Sequence, residues 1–187
     1  MRAVRDGDLS KLGVLFERHH MALFDFLSRM TGDRTAAEDL TQDVFVRMLK
    51  YRETFRNEGR FETWMFHIAR NARAEYFGRR AALEQSAEGI DAATEAPGPA
   101  HVAERDEQTA LLRRALLQLR DDRRELIVLA RYRGMKHEAI AELLCVDVGT
   151  VKVRIHRALK ELRQIFLSLA GDQSWNAKTR GGASRTT

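Results

Sequence analysis

Residues 136–163 read KHEAIAELLCVDVGTVKVRIHRALKELR. Two apolar runs of helical period meet there at a short break. In the first run Ile140, Ala141 and Leu144 fall on one face. In the second, Val151, Ile155, Ala158, Leu159 and Leu162 recur at three- and four-residue spacing, as a core-facing stripe must. Val146 is an apolar plug at the corner, and Ala141 is small where two backbones must approach. Asp147 is placed to cap the second helix by accepting from a free backbone N–H. The outward face of that helix carries Lys152, Arg154, Arg157, Lys160 and Arg163, with Glu161 the only acid. A plain amphipathic hairpin would account for the stripe alone. Small residue, plug, cap and cationic second helix together are the pattern of a helix-turn-helix that reads a major groove.

The rest of the chain is helical in period as well. The fold class expected is all-α: two small helical domains joined by a flexible acidic linker, the C-terminal one a helix-turn-helix. The 187 residues carry a net charge of +5, spread unevenly. Residues 1–80 sum to +3, 81–108 to −6 and 109–187 to +8. The first domain is assigned to 1–80, the linker to 81–108, the second domain to 109–170 and a disordered tail to 171–187. Both prolines, Pro97 and Pro99, fall in the linker. The basic end suits a polyanionic partner.

In the first domain, Leu12, Phe16, His19, Leu23, Phe26 and Met30 mark a helix over about 9–30, stopped at Thr31–Gly32–Asp33. A second helix spans about 35–51, with Leu40, Val44, Phe45, Met48 and Leu49 inward. Asp39, Gln42 and Asp43 share an outward acidic face on it. Residues 52–60, RETFRNEGR, form a polar loop. A third helix, about 61–80, has Phe61, Trp64, Met65, Ile68, Ala72 and Tyr76 in its stripe and Arg70, Asn71, Arg73, Arg79 and Arg80 off it. Cations interleaved with rings suit single-stranded nucleic acid, although Phe61 and Trp64 read better as core.

Several function classes find no support. The single cysteine, Cys145, excludes a disulfide scaffold and a cysteine-built zinc site. Glu17 and His20 form one Glu-x-x-His pair where a di-iron bundle needs two. His137–Glu138 begins a metalloprotease-like HExxH, but its fifth residue is Ala141. No catalytic residue, cofactor or metal is expected. No stretch nears the roughly 18 apolar residues of a membrane span, and the N-terminus lacks an apolar signal core. A cytoplasmic protein with no direct membrane contact is the expectation. A self-sufficient helix-turn-helix regulator remains an alternative, but it needs a dimer interface and leaves 37–80 without a role.

Four blocks carry a family resemblance: AVRDGD (3–8), AEDLTQDVF (37–45), FETWMFHIARN (61–71) with Arg79–Arg80, and GTVKVRIHRALKEL (149–162). In that order they resemble the extracytoplasmic-function (ECF) sigma factors of bacterial RNA polymerase over about 6–166. The resemblance implies a non-catalytic subunit that binds core RNA polymerase, recognises promoter DNA and helps melt it. It implies that Asp39, Gln42, Asp43 and Phe45 dock on the clamp helices of the largest polymerase subunit. It implies that Arg56, Asn57, Arg60, Asn71, Arg79 and Arg80 meet the minus-ten element, where a base is flipped from the stack. It implies that Thr150, Lys152, Arg154 and Arg157 contact the minus-thirty-five element, and that an anti-sigma factor holds the protein in check. The chain departs from the family pattern at Cys145, where a turn glycine is usual, at Val153, where a small polar residue is usual, and after Leu119, where a proline is usual. A redox role for Cys145 is weighed against inert packing and set below it.

Overall fold

A computed structural model describes residues 1–56, 60–86 and 104–181, with the side chains of 84–86, 104–106 and 172–181 left out of the description. Among the described residues eight α-helices run in order: α1 (Arg2–Arg5), α2 (Lys11–Thr31), α3 (Arg34–Lys50), α4 (Phe61–Ser86), α5 (Glu104–Gln118), α6 (Asp121–Ile127), α7 (His137–Leu144) and α8 (Val148–Gly181). A 3-10 turn at Arg52–Thr54 follows α3, and a π turn at Val128–Tyr132 extends α6. The described residues contain no strand, so the all-α expectation holds.

The first half is a three-helix packing. Leu23, Phe26, Leu27 and Met30 of α2 meet Leu40, Val44 and Met48 of α3 and Met65, Phe66, Ala69 and Ala72 of α4, all buried. The Phe26 and Phe66 rings meet edge to face at 5.1 Å. Gly32 ends α2 in the left-handed region at φ 74°, where a side chain would be strained. Asp33 then caps α3 by accepting from the Ala36 N–H at 3.1 Å. In the second half, Leu111, Ala115, Leu116 and Leu119 of α5 pack with Leu126 and Ile127, Ile140 and Leu143, and Val151, Ile155, Ala158 and Leu162.

The two halves lie directly against each other. Their cores form one continuous cluster, with α2 against α5 and the π turn, and α4 against α7. Polar contacts close the seam. Arg124 donates from Nη1 to the Met30 carbonyl at 2.7 Å, and from Nε and Nη2 to the carbonyls of Leu116, Leu117 and Leu119. Arg70 on α4 donates to the buried Glu125 carboxylate at 2.7 Å and to the Leu143 carbonyl at 3.3 Å. Arg73 pairs with Asp121 at 2.8 Å, and the Arg29 guanidinium lies 4.2 Å over the Tyr132 ring. A Cβ at Gly32 would lie 3.0 Å from two Leu117 methyls, so a side chain there would also push on the seam.

Two helix ends differ from expectation. Helix α4 passes Gly78 and Arg80 to reach Ser86, while α5 begins at Glu104, where helical period resumes in the sequence, so both ends of the expected linker are helical. Residues 87–103 lie outside the described residues. Helix α8 continues to Gly181, which corrects the expectation of a disordered tail from 171; residues 182–187 lie outside the described residues.

Candidate nucleic-acid interface

The corner between α7 and α8 follows from backbone bonding. The Val146 N–H reaches back to the Ala141 carbonyl at 3.0 Å and the Cys145 N–H to the Glu142 carbonyl at 3.3 Å. That is a Schellman closure, which needs its penultimate residue in the left-handed region. Cys145 supplies it at φ 54° and ψ 45°, the only non-glycine residue with positive φ among those described. Asp147 then caps α8. Its carboxylate accepts from the Thr150 N–H at 2.7 Å and from the Thr150 hydroxyl. Those bonds hold the Asp147 carboxyl below its ordinary pKa.

With α8 so fixed, Val151, Ile155, Ala158 and Leu162 are buried and Lys152, Arg154 and Arg157 are exposed. The structure therefore brings these three cations onto the open side of one helix. Thr150 differs from expectation: it is half-buried, and its hydroxyl proton is given to Asp147. Its free lone pair leaves it able to accept only.

On α3, Asp39 and Gln42 are exposed and Asp43 is half-buried. Asp43 accepts from Arg47 Nε at 2.8 Å, and the other two nitrogens of Arg47 grip Glu75 of α4, each at 2.8 Å. The paired carboxylates raise the Arg47 pKa further, and Arg47 holds the Glu75 carboxyl below its ordinary value. Arg47 thus ties α3 to α4 and fixes where Asp43 points, a link that helical periodicity does not report. Phe45 differs from its neighbours in exposure: it is only 6% exposed and packs on Phe16 with ring centroids 4.9 Å apart.

The residues expected to meet melted DNA are spread along α4. Arg56 and Arg60 are exposed before it, while Asn57 lies outside the described residues. Asn71 is exposed and bonded to His67 at 3.4 Å, and Arg79 is exposed further on. Arg80 is half-buried and, at 100° per residue, about 180° around the helix from Asn71. Arg80 and Asn71 thus face opposite sides and do not form one patch.

An aromatic group that sequence reading gathered only in part sits at the start of α4. Buried Phe55 meets Trp64 at 5.3 Å and Phe61 at 6.1 Å, and His19 meets Phe61 edge-on at 4.9 Å. Trp64 donates its indole N–H to the Thr54 hydroxyl at 3.2 Å. Burial pushes the His19 pKa down, with Glu62 opposing it. The core reading of Phe61 and Trp64 fits this half-buried cluster. Phe55, inside a polar loop, gave no periodic signal. Among the described residues no group of three or more His, Cys, Asp or Glu gathers to hold a metal.

Residues 15–82 match Sigma-70 region 2, and residues 109–162 match Sigma-70 region 4. The RNA polymerase sigma factor CarQ of Myxococcus xanthus is 33% identical over 169 residues, covering 89% of this chain and 95% of CarQ. The ECF RNA polymerase sigma factor SigL of Mycobacterium tuberculosis is 33% identical over 155 residues, covering 80% of this chain and 85% of SigL. The chain belongs to the ECF family of RNA polymerase sigma factors. As a sigma factor it acts in transcription initiation. Its fold matches two solved relatives. The sigma factor RpoE from Bartonella quintana, in complex with the anti-sigma factor NepR, superimposes with TM-score 0.69 at 27% identity over 82% of this chain and 94% of RpoE. CnrH, in complex with the cytosolic domain of CnrY, gives TM-score 0.66 at 26% identity over 88% and 93%. The sigma factor's described helices include none long and apolar enough to cross a membrane.

Proposed function

We propose that this sigma factor engages core RNA polymerase through Asp39, Gln42 and Asp43, with Phe45 as the support beneath. Arg56, Asn57, Arg60, Asn71 and Arg79 take the melted minus-ten strand, with Arg80 set apart from them on the opposite side of α4, and Lys152, Arg154 and Arg157 take the minus-thirty-five duplex, with Thr150 as an acceptor. The observation that carries the duplex assignment is the exposure of all three cations on α8, whose buried stripe seats it on the core. Cations on an exposed recognition helix serve phosphate and guanine alike, arginine bidentately. The protein has no catalytic chemistry of its own, works in the cytoplasm, and is held by an anti-sigma factor. The complexes of RpoE with NepR and of CnrH with CnrY support that last partner class.

Transcription in vitro tests the reading. Core polymerase supplied with the chain is expected to start at defined sites on bacterial genomic templates. No added initiation on any template overturns it. Asp39→Lys, at an exposed position, is expected to lower co-purification with core polymerase while leaving the circular dichroism spectrum intact. Unchanged co-purification overturns the docking assignment.

A further inference from the structure

Val153 is half exposed, at 50%, on the first turns of α8. At 100° per residue, Val151, Ile155, Ala158 and Leu162 average to one direction, and Val153 points about 180° from it. It therefore occupies the centre of the open face. Exposed Lys152 and Arg154 flank it on either side, and exposed Arg157 follows one turn later. An isopropyl group has no donor or acceptor to offer a phosphate or a polar base edge. In the major groove the one apolar feature is the C5-methyl of thymine.

We infer that Val153 is a specificity-determining residue that reads a thymine methyl in the upstream promoter element. The inference rests on α8 entering the major groove, as proposed above. Lys152 and Arg154 hold the helix to the flanking phosphates, which presses the intervening face toward the bases. Val153 and Arg157 are four residues apart, about 6 Å along the helix axis. Base pairs rise about 3.4 Å each. The thymine read by Val153 then lies within about two base pairs of the base read by Arg157. A small polar residue at this position would lose the methyl contact and relax the preference there.

The test uses holoenzyme assembled from core polymerase and the full chain, on a promoter defined by mapping its transcript starts. Each thymine of the upstream element is replaced singly by deoxyuridine, which removes only the methyl. One replacement is expected to weaken binding about four-fold, the factor for burying one methyl-sized group. Val153→Ser is expected to bind the thymine and deoxyuridine duplexes alike. Equal binding of both duplexes by the native chain at every position overturns the inference, as does discrimination that survives in Val153→Ser. Arg157→Ala separates the two levels of the argument. Weakened binding with no thymine preference in the native chain overturns the Val153 inference alone. Unchanged binding in Arg157→Ala overturns the groove assignment and the inference with it.

Discussion

Cys145 sits where the chain must turn left-handed, and it does so as an L-residue with a side chain. The left-handed region costs a non-glycine residue about 1 kcal/mol. Cys145→Gly should therefore raise the unfolding free energy by about 1 kcal/mol, read as a higher urea midpoint at unchanged slope. The thiol is exposed, so no packing is lost in exchange. An unchanged or lower midpoint would mean that the turn is not strained. Phe45 gives a second lesson at this scale. Its place in the motif puts it among docking residues, yet its ring lies under them against Phe16. A motif reports which residues recur together and says nothing of which of them touch the partner.

Helix α8 depends on its first turn. Asp147 satisfies one of the orphan N–H groups there, and its lowered pKa marks a carboxylate stabilised by folding. A depressed carboxyl pKa contributes stability above the unfolded value and loses it as pH falls through the folded one. Asp147→Ala should lower the melting temperature at neutral pH more than Asp147→Ser, because serine still caps. The gap between native chain and alanine variant should begin to narrow as pH falls past about 4, the unfolded value, and close only below the lower folded value, where the native carboxylate is protonated as well. A gap that persists at low pH would assign the effect to something other than the cap. At this scale much was legible. Asp147, the apolar stripe of α8 and the stop at Gly32 all come from local rules, and local rules need no tertiary information. The far ends of α4 and α8 were not legible. Polar, glycine-containing sequence reads as a stop, and nothing local tells a helix that continues past Gly78 or Gly171 from one that ends.

For the whole molecule, composition suggested two domains on a tether, and the structure packs those two halves against each other across a seam. The residues responsible gave no signal. Arg124, Arg70 and Glu125 look like ordinary charges on helix surfaces, and only the fold shows that they face one another across the seam. Arg124 is only 11% exposed and serves four backbone carbonyls. Arg124→Ala should destabilise the protein by about 3 kcal/mol, since buried acceptors lose a charged donor. Arg124→Lys should recover little, because one ammonium cannot reproduce the planar fork. Full recovery by lysine in a denaturant melt would show that charge alone is required there.

The seam also sets a length problem. Promoter elements named for positions minus ten and minus thirty-five are about 25 base pairs apart, or about 85 Å of duplex. In the packed arrangement Arg70, on the helix assigned to the first element, touches Leu143, beside the helix assigned to the second. On the assignments proposed above, that contact opposes reaching both elements at once. If promoter capture parts the halves, the free energy of the seam is subtracted from the affinity for DNA. A ligand that binds only the packed or only the parted form controls initiation without touching a single base.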